Sequence, residues 1–283
     1  MTGQCAIQVA AKVNLSLNIT GRADGYHLLD SVFASVDLYD TITVCRRGDD
    51  TVSVRFSDPR IGAGNRVKAA VAALKSRFGP FGADITVENR IPAGGGLGGS
   101  SADAAGAIRA LNALFGFTDD PSVLYEAAAA VGSDVPFMLN GGLARVTGRG
   151  EKLAHFAGRT DIVMYLVVPP SPVSTPACFA AFDRRGDAGT AADIDRVVAA
   201  LRSGEDFAPY AGNALYPAAV SLNPQVRTAY DAIAAAGGRP VMTGSGSACV
   251  GLFRRPPENL PCTAGFFVRR IVLADGIRFA EAP

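Results

Sequence analysis

The segment with the most chemical information is rich in glycine and spans residues 91–103, Ile-Pro-Ala-Gly-Gly-Gly-Leu-Gly-Gly-Ser-Ser-Ala-Asp. A strand pattern precedes its five glycines and a helical pattern follows them. Glycine lets the backbone adopt positive φ and approach a ligand closely, and the free N–H groups at the start of the helix then face an anion. Ser100 or Ser101 could cap that helix, or reach a phosphate or a bound Mg²⁺. This glycine loop therefore indicates a polyphosphate site.

Two other interpretations of the glycine loop are open. A flexible surface turn before a capped helix would use the same residue types, but its glycines would cost conformational entropy without return. A dinucleotide fold is the second, because Gly94, Gly96 and Gly99 satisfy G-x-G-x-x-G and Asp119 lies about twenty residues on. The context opposes it, since Asp119 stands at a helix start and three strands and a helix precede the loop. No Lys follows the glycines, as a Walker A loop would require.

One charged residue stands out because of its surroundings. Lys12 lies inside an apolar strand pattern, where an unpaired charge would be costly. A second charged residue, Asp134, follows Gly132 and Ser133. Asn14, two residues after Lys12, would lie on the same strand face and could bond a substrate hydroxyl. The alternatives are a solvated lysine and an aspartate that only caps a turn or helix.

The elements that must position these residues follow from hydrophobic periodicity and from glycine and proline stops. Before a proline cluster at residues 169–176, strands are predicted at residues 6–20, 31–44, 51–56, 83–91, 142–147 and 162–168. Helices in this part are predicted at residues 65–78, 101–115 and 121–131. After the prolines, helices are predicted at residues 192–202 and 224–236 and strands at 248–253 and 266–274. We predict an α+β chain of two domains, residues 1–155 with the glycine loop and residues 156–283 built from a sheet and helices.

Composition excludes some classes of partner. The 283 residues carry 27 Lys plus Arg against 26 Asp plus Glu, so no global field favours nucleic acid or an anionic membrane. The longest apolar run, near residues 162–170, is too short to span a bilayer. Five scattered cysteines without a CxxC pair indicate reduced thiols and no zinc site. We expect a cytoplasmic protein that binds no nucleic acid and no membrane, and the sequence does not indicate an oligomeric state.

Three motifs together identify the chain as similar to the GHMP kinase superfamily. The first is Ala-Lys-Val-Asn-Leu at residues 11–15, continued by Asp-Gly-Tyr-His-Leu at residues 24–28 and Asp-Leu-Tyr-Asp-Thr-Ile at residues 37–42. The second is the glycine loop, followed by Gly-Ser-Asp-Val-Pro-Phe at residues 132–137. The third is Met-Thr-Gly-Ser-Gly-Ser at residues 242–247. The chain departs from the family in a turn at Gly21–Arg22 that is one residue shorter, and in a shifted position of the loop serines.

The resemblance implies a two-domain GHMP kinase fold and transfer of the γ-phosphate of ATP, with Mg²⁺, to an alcohol. It implies that Asp134 is the base and that Lys12 stands beside it. ATP would contact Asn65 and, in the glycine loop, Pro92, Ala93, Gly94, Gly95, Gly96, Leu97, Gly98, Gly99, Ser100, Ser101 and Ala102. The metal ligands are not identified.

The first motif also resembles the branch of the superfamily that phosphorylates the 2-hydroxyl of a cytidyl diphosphate sugar alcohol, in non-mevalonate isoprenoid biosynthesis. Tyr26 and His27 resemble the pair that holds the cytidine, Phe179 a second aromatic against the base, and Asn14 a contact to the substrate. Three alternatives remain: a kinase of the homoserine or mevalonate type, a catalytically inactive metabolite sensor of the same fold, and a nicotinamide-dependent oxidoreductase.

Overall fold

A long antiparallel hairpin forms the centre of the molecule. The computed structural model describes residues 3–59, 61, 66–186, 188–258, 260 and 264–280. Strands β1 (Gln4–Ala23) and β2 (Tyr26–Arg46) meet at Asp24 and Gly25, which both have positive φ, 50° and 79°. Asp-Gly is the residue pair favoured in such a two-residue hairpin turn. The strands are therefore longer than predicted, because the turn takes only two residues of the glycine-rich stretch at residues 21–25.

Seven strands form the larger sheet, in which β2 pairs with three neighbours. Its first half pairs with β5 (Leu143–Gly148) and its second half with β4 (Ala83–Glu88). The remaining strands are β3 (Val52–Phe56) beside β4, β6 (Lys152–Phe156) beside β5, and β11 (Ile277–Ala280) beside β1. The sheet thus contains strands from residues 4–156 and one strand from near the end of the chain.

Four helices accompany this sheet: α1 (Val67–Phe78), α2 (Gly99–Phe115), α3 (Pro121–Val131) and α4 (Val135–Asn140). Helix α2 is rich in alanine and packs closely on the hairpin. A Cβ on its Gly106 would lie 2.6 Å from Ile42 and 2.7 Å from Val9, so the helix needs a glycine there to approach the sheet. Its N-terminus, which carries the glycine loop, is thereby held above β1.

The second sheet is antiparallel and has the order β10–β7–β9–β8. Its strands are β7 (Val163–Val168), β8 (Arg239–Met242), β9 (Cys249–Phe253) and β10 (Phe267–Ile271). Helices α5 (Thr175–Arg185), α6 (Ile194–Ser203), α7 (Tyr216–Leu222) and α8 (Pro224–Ala235) belong to this part, with a 3₁₀ turn at Ala208–Tyr210. The sequence patterns missed the 11-residue α5, which begins inside the proline cluster. They also missed α4, α7, β6, β8 and β11, which have at most seven residues each and show too little periodicity.

Side chains of the hairpin contribute to the core of both parts. Leu17 and Ile19 of β1 belong to the same buried cluster as Cys178 and Phe182 of α5 and Ala218 of α7. The hairpin is therefore the middle of the larger sheet, and it also forms the surface against which α5 and α7 pack. The cysteines that the structure describes, Cys5, Cys45, Cys178 and Cys249, form no disulfide. Within the described ranges, no helix has the length and apolar content needed to cross a bilayer.

Candidate active site

The glycine loop takes a conformation that only glycine adopts easily. Gly94, Gly96 and Gly98 have φ of 73°, 77° and 74°, alternating with residues of ordinary φ. At Gly96 space is limiting too, because a Cβ would lie 2.4 Å from the carbonyl oxygen of Thr243. Positive φ and close approach of another backbone are the two conditions that require glycine. A flexible surface turn would require neither positive φ at three alternating glycines nor close contact with another segment of backbone, so the structure argues against that interpretation.

Hydrogen bonds hold the glycine loop from two sides. The Lys12 N–H of β1 donates to the Leu97 carbonyl at 3.0 Å. The Ala248 N–H donates to the Gly95 carbonyl at 3.2 Å, from the β8–β9 turn at residues 243–248. The loop therefore lies between the two parts of the molecule, with Pro92, Ala93 and Gly94 on its more accessible rim.

The start of α2 differs from the prediction that Ser100 or Ser101 caps it. Gly98 is the N-cap residue, with left-handed φ and ψ, and no side chain caps the helix. Both serines lie in the first turn and accept hydrogen bonds from Arg66, Ser100 from its N–H at 3.0 Å and Ser101 from Nη1 at 2.9 Å. That prediction was wrong because the helix begins at Gly99, two residues earlier than the pattern suggested. Sequence reasoning also missed Arg66; the adjacent Asn65, predicted to contact ATP, lies outside the described residues.

Lys12 and Asp134 come together below the glycine loop. Lys12 Nζ is 3.7 Å from Asp134 Oδ2, the distance of an ion pair, and lies 4.5 Å from the centroid of the Phe33 ring. Lys12 is only 4% exposed. Burial lowers the pKa of Lys12, and the neighbouring Asp134 carboxylate acts against this by raising it. The two residues are far apart in the chain and meet because α4 begins beside the middle of β1.

Asp134 occupies the N-cap position of α4, but its side chain makes no capping hydrogen bond. The carboxylate is 29% exposed and directed to Lys12. A capping role therefore does not account for this aspartate. A carboxylate in this position can receive a proton from a substrate hydroxyl within hydrogen-bond distance.

Asn14 orients Lys12. Its Oδ1 accepts a hydrogen bond from Lys12 Nζ at 2.7 Å, and its Nδ2 donates to Ser31 Oγ at 2.9 Å. Ser31 Oγ in turn donates to the Ser16 carbonyl at 2.5 Å. Asn14 is 1% exposed, so its amide atoms serve this internal network in the structure. The predicted contact to a substrate hydroxyl is still a prediction.

One face of the hairpin leads from Lys12 to its tip. Strand β1 has a bulge of one extra residue at Leu15 and another at Thr20. After each bulge the alternation of side chains along β1 shifts by one residue, so the following pairs lie on one face. The pairs on this face are Lys12 with Ser35, Asn14 with Phe33, Leu17 with Ser31, Ile19 with Leu29, and Arg22 with His27. The predicted catalytic pair and the predicted base-binding histidine thus lie at two ends of one face of the hairpin, and the middle of that face, at Leu17 and Ile19, is buried under α5 and α7.

At the tip, the predicted base-binding residues separate into two groups. His27 stacks on Phe179 of α5 with ring centroids 4.7 Å apart and an interplanar angle of 28°. Its Nε2 is 2.7 Å from Asp183 Oδ1, a residue of α5 that sequence reasoning missed. The Tyr26 side chain lies on the opposite face of β2 from His27 and is 58% exposed. The Arg149 guanidinium carbon lies 4.4 Å from the centroid of the Tyr26 ring.

Several known proteins are similar to this chain over most of its length. Residues 65–142 match the model of the GHMP kinases N terminal domain. A 4-diphosphocytidyl-2-C-methyl-D-erythritol kinase of Pelotomaculum thermopropionicum is 38% identical over 249 residues, covering 86% of this chain and 86% of the relative. The enzyme of the same name from Mycolicibacterium smegmatis is 38% identical over 280 residues, covering 92% and 84%. This chain belongs to the 4-diphosphocytidyl-2-C-methyl-D-erythritol kinase family.

Solved structures agree with this assignment. A 4-(cytidine 5'-diphospho)-2C-methyl-D-erythritol kinase is 32% identical, with a TM-score of 0.74 over 95% of this chain and 100% of that one. A homoserine kinase from Cytophaga hutchinsonii has a TM-score of 0.75 at 17% identity, which shows a shared fold. The predicted GHMP kinase fold and its mixed α and β content are confirmed. As a GHMP kinase, the protein uses ATP to phosphorylate a small molecule, and the dinucleotide interpretation of the loop is set aside.

Proposed function

We propose that this protein transfers the γ-phosphoryl group of ATP to the 2-hydroxyl of 4-diphosphocytidyl-2-C-methyl-D-erythritol, yielding ADP and the 2-phosphate. The observation that carries the proposal is the ion pair of Lys12 and Asp134 directly below the glycine loop. The names of the relatives support the choice of substrate within the superfamily.

Asp134 acts as the base in this proposal. Its carboxylate is accessible enough to meet a substrate hydroxyl and lies 3.7 Å from the Lys12 ammonium. Lys12 is held by Asn14 and by the Phe33 ring, so its charge is already in position when the hydroxyl begins to lose its proton. A preorganised cation of this kind stabilises the developing alkoxide without reorganisation. Phosphoryl transfer depends mainly on such positioning and charge stabilisation.

The glycine loop and the N-terminus of α2 would hold the phosphates of ATP. The glycines of the loop allow its backbone N–H groups to approach the phosphates closely, and the 17-residue helix adds the positive end of its dipole. Arg66, which contacts both loop serines, places a guanidinium next to the same phosphates.

The residues present fit Mg²⁺ that arrives together with ATP. Within the described ranges, no three His, Cys, Asp or Glu side chains are grouped to hold a resident metal. Mg²⁺ commonly takes most of its oxygen ligands from phosphates and water, with few from the protein. When bound, it would neutralise charge on the transferred phosphoryl group; Ser100 or Ser101 would supply a hydroxyl ligand.

The cytosine would bind at the tip of the hairpin, against His27 and Phe179. Aromatic rings stack on bases, and imidazole can read a pyrimidine edge. The exposed ring of Tyr26 is a predicted further contact at the tip. The absence of a disulfide among the described cysteines is in keeping with a cytoplasmic location for the reaction.

The test is ADP release by the purified protein with Mg-ATP and the cytidyl substrate, with homoserine and mevalonate in parallel reactions. Turnover with the cytidyl substrate alone would support the proposal. Turnover with another alcohol would keep the kinase chemistry and remove the base-binding roles of His27 and Phe179. ATP binding without turnover of any of them would favour a sensor.

A further inference from the structure

The carboxylate of Asp183 joins α5 to both strands of the hairpin tip. Its Oδ2 accepts a hydrogen bond from Arg22 Nη2 at 2.5 Å, and its Oδ1 lies 2.7 Å from His27 Nε2. Arg22 and His27 are cross-strand partners in the hairpin. The contact with His27 is largely protected from water, since the histidine side chain is 9% exposed. Neither Arg22 nor Asp183 belongs to the predicted site.

The Asp183 contact determines which nitrogen of His27 carries the proton. An ionised carboxylate only accepts hydrogen bonds, so Nε2 must be the donor. In the neutral imidazole, Nδ1 is then an acceptor. Phe179 stacks on one face of the ring and Phe182 contacts it edge-on, with centroids 6.0 Å apart, so the ring cannot turn easily to exchange its nitrogens.

Arg22 balances the charge of the same carboxylate. The guanidinium of Arg22 is bound to the other oxygen of Asp183, so the carboxylate already has a cationic partner. In the arrangement Arg22–Asp183–His27, Nε2 is bound to the carboxylate, so the acceptor of the neutral imidazole is Nδ1.

We propose that Asp183 is a positioning residue that makes this site select cytosine over uracil. Cytosine has an amino donor at position 4, where uracil has a carbonyl acceptor. An accepting Nδ1 pairs with the amino group, whereas it would face the uracil oxygen as a second acceptor. The inference rests on the proposed function, because it assigns His27 to the base of the cytidyl substrate.

The experiment compares binding of CDP and UDP to the full chain by calorimetry, for the wild type and the variants Asp183→Ala and Asp183→Glu. We expect wild type to bind CDP at least about tenfold more tightly than UDP, the discrimination typical of one good polar contact. Asp183→Ala should lose most of this preference, and Asp183→Glu should restore part of it. Asp231→Ala is the matched control, since Asp231 is also a helical aspartate bound to an arginine, Arg227, in the same part of the chain.

Steady-state kinetics separate this role from a structural one. For Asp183→Ala we expect KM for the cytidyl substrate to rise about tenfold while kcat changes little, because binding is lost equally in the ground and transition states. A variant with His27→Ala and Asp183→Ala together should bind CDP no more weakly than His27→Ala alone. Additive losses in the double variant would overturn the proposal.

The outcomes distinguish this inference from the proposed function. Equal binding of CDP and UDP by wild type, or an unchanged preference in Asp183→Ala, would overturn the role of Asp183 even if the cytidyl substrate turns over. A preference that depends on Asp183, in a protein that does not turn over the cytidyl substrate, would support the role of Asp183 and reject the proposed reaction.

Discussion

Thr243 Oγ1 accepts a hydrogen bond from the Asn14 N–H at 2.9 Å, although the two residues are 229 positions apart in the chain. The same oxygen lies 3.5 Å from the Gly96 carbonyl and 3.3 Å from Asn14 Oδ1. One buried hydroxyl therefore connects β1, the glycine loop and the β8–β9 turn. Because Asn14 also holds Lys12, this contact links the position of the ammonium to the closure of the loop.

Replacement of Thr243 by valine tests this link. Thr243→Val keeps the shape but leaves the buried Asn14 N–H without its acceptor, which costs about 1–3 kcal/mol of unfolding free energy. We also expect KM for ATP to rise, because the loop loses a support. Urea denaturation and ATP titration measure the two effects. Thr86→Val, on an exposed face of β4, is the control; equal stability of the two variants would contradict the assigned role.

Gly96 provides a second prediction, with a glycine of similar φ as its control. Gly96→Ala and Gly116→Ala both place a side chain at positive φ, 77° and 66°, which costs about 1–2 kcal/mol in each. Only at Gly96 would the new Cβ collide, at 2.4 Å from the Thr243 carbonyl oxygen, while nothing lies within 4 Å at Gly116. We expect Gly96→Ala to be the less stable variant and to bind ATP much more weakly. Unaltered ATP affinity in Gly96→Ala would be evidence against the loop as the phosphate site.

The base assignment predicts a selective loss of rate. Asp134→Asn retains the shape of the side chain but removes the proton acceptor, so we expect kcat to fall about 100-fold or more, with ATP binding retained. Circular dichroism and thermal denaturation would check that the fold is intact. The exposed Asp161, replaced in the same way, should leave kcat unchanged. A rate near that of wild type for Asp134→Asn would require another base.

The burial of Lys12 predicts a pH dependence of stability. Burial lowers its pKa below the ordinary 10.5, so between the lowered pKa and 10.5 the unfolded chain binds more protons than the native state. The contribution of Lys12 to the unfolding free energy therefore increases with pH across that window. Denaturation of wild type and Lys12→Met from about pH 7 to about pH 10 measures this contribution as a difference.

In that experiment the unfolding free energy of wild type minus that of Lys12→Met should increase as the pH rises. The control is Lys152→Met, which replaces an exposed lysine of β6 and should follow wild type at every pH. Parallel curves for wild type and Lys12→Met would show that Lys12 titrates alike in the folded and unfolded states, and would contradict the effect assigned to burial.

Local signals in the sequence were sufficient for much of the fold. The glycines between a strand and a helix predicted the loop and its place before α2, because turn chemistry and periodicity act over few residues. Helix α3 begins and ends where predicted, since Pro121 and Asp120 mark its start and Gly132 its end. The cap of α2 was placed wrongly because glycine at positive φ competed with serine for the N-cap position, and local propensity favoured serine.

By itself, the sequence determined the place of the glycine loop before α2, the alternating strands of the hairpin, and the residue types from which we predict phosphate binding and proton transfer. Tertiary structure alone decided which of them meet. His27 and Asp183 are 156 positions apart, and Lys12 and Asp134 lie on different elements, so no local pattern contains either pair. Such contacts depend on the bulges that keep one face of β1 continuous and on the packing of α4 and α5 against it. The free energy that maintains them comes from burial shared across the whole molecule.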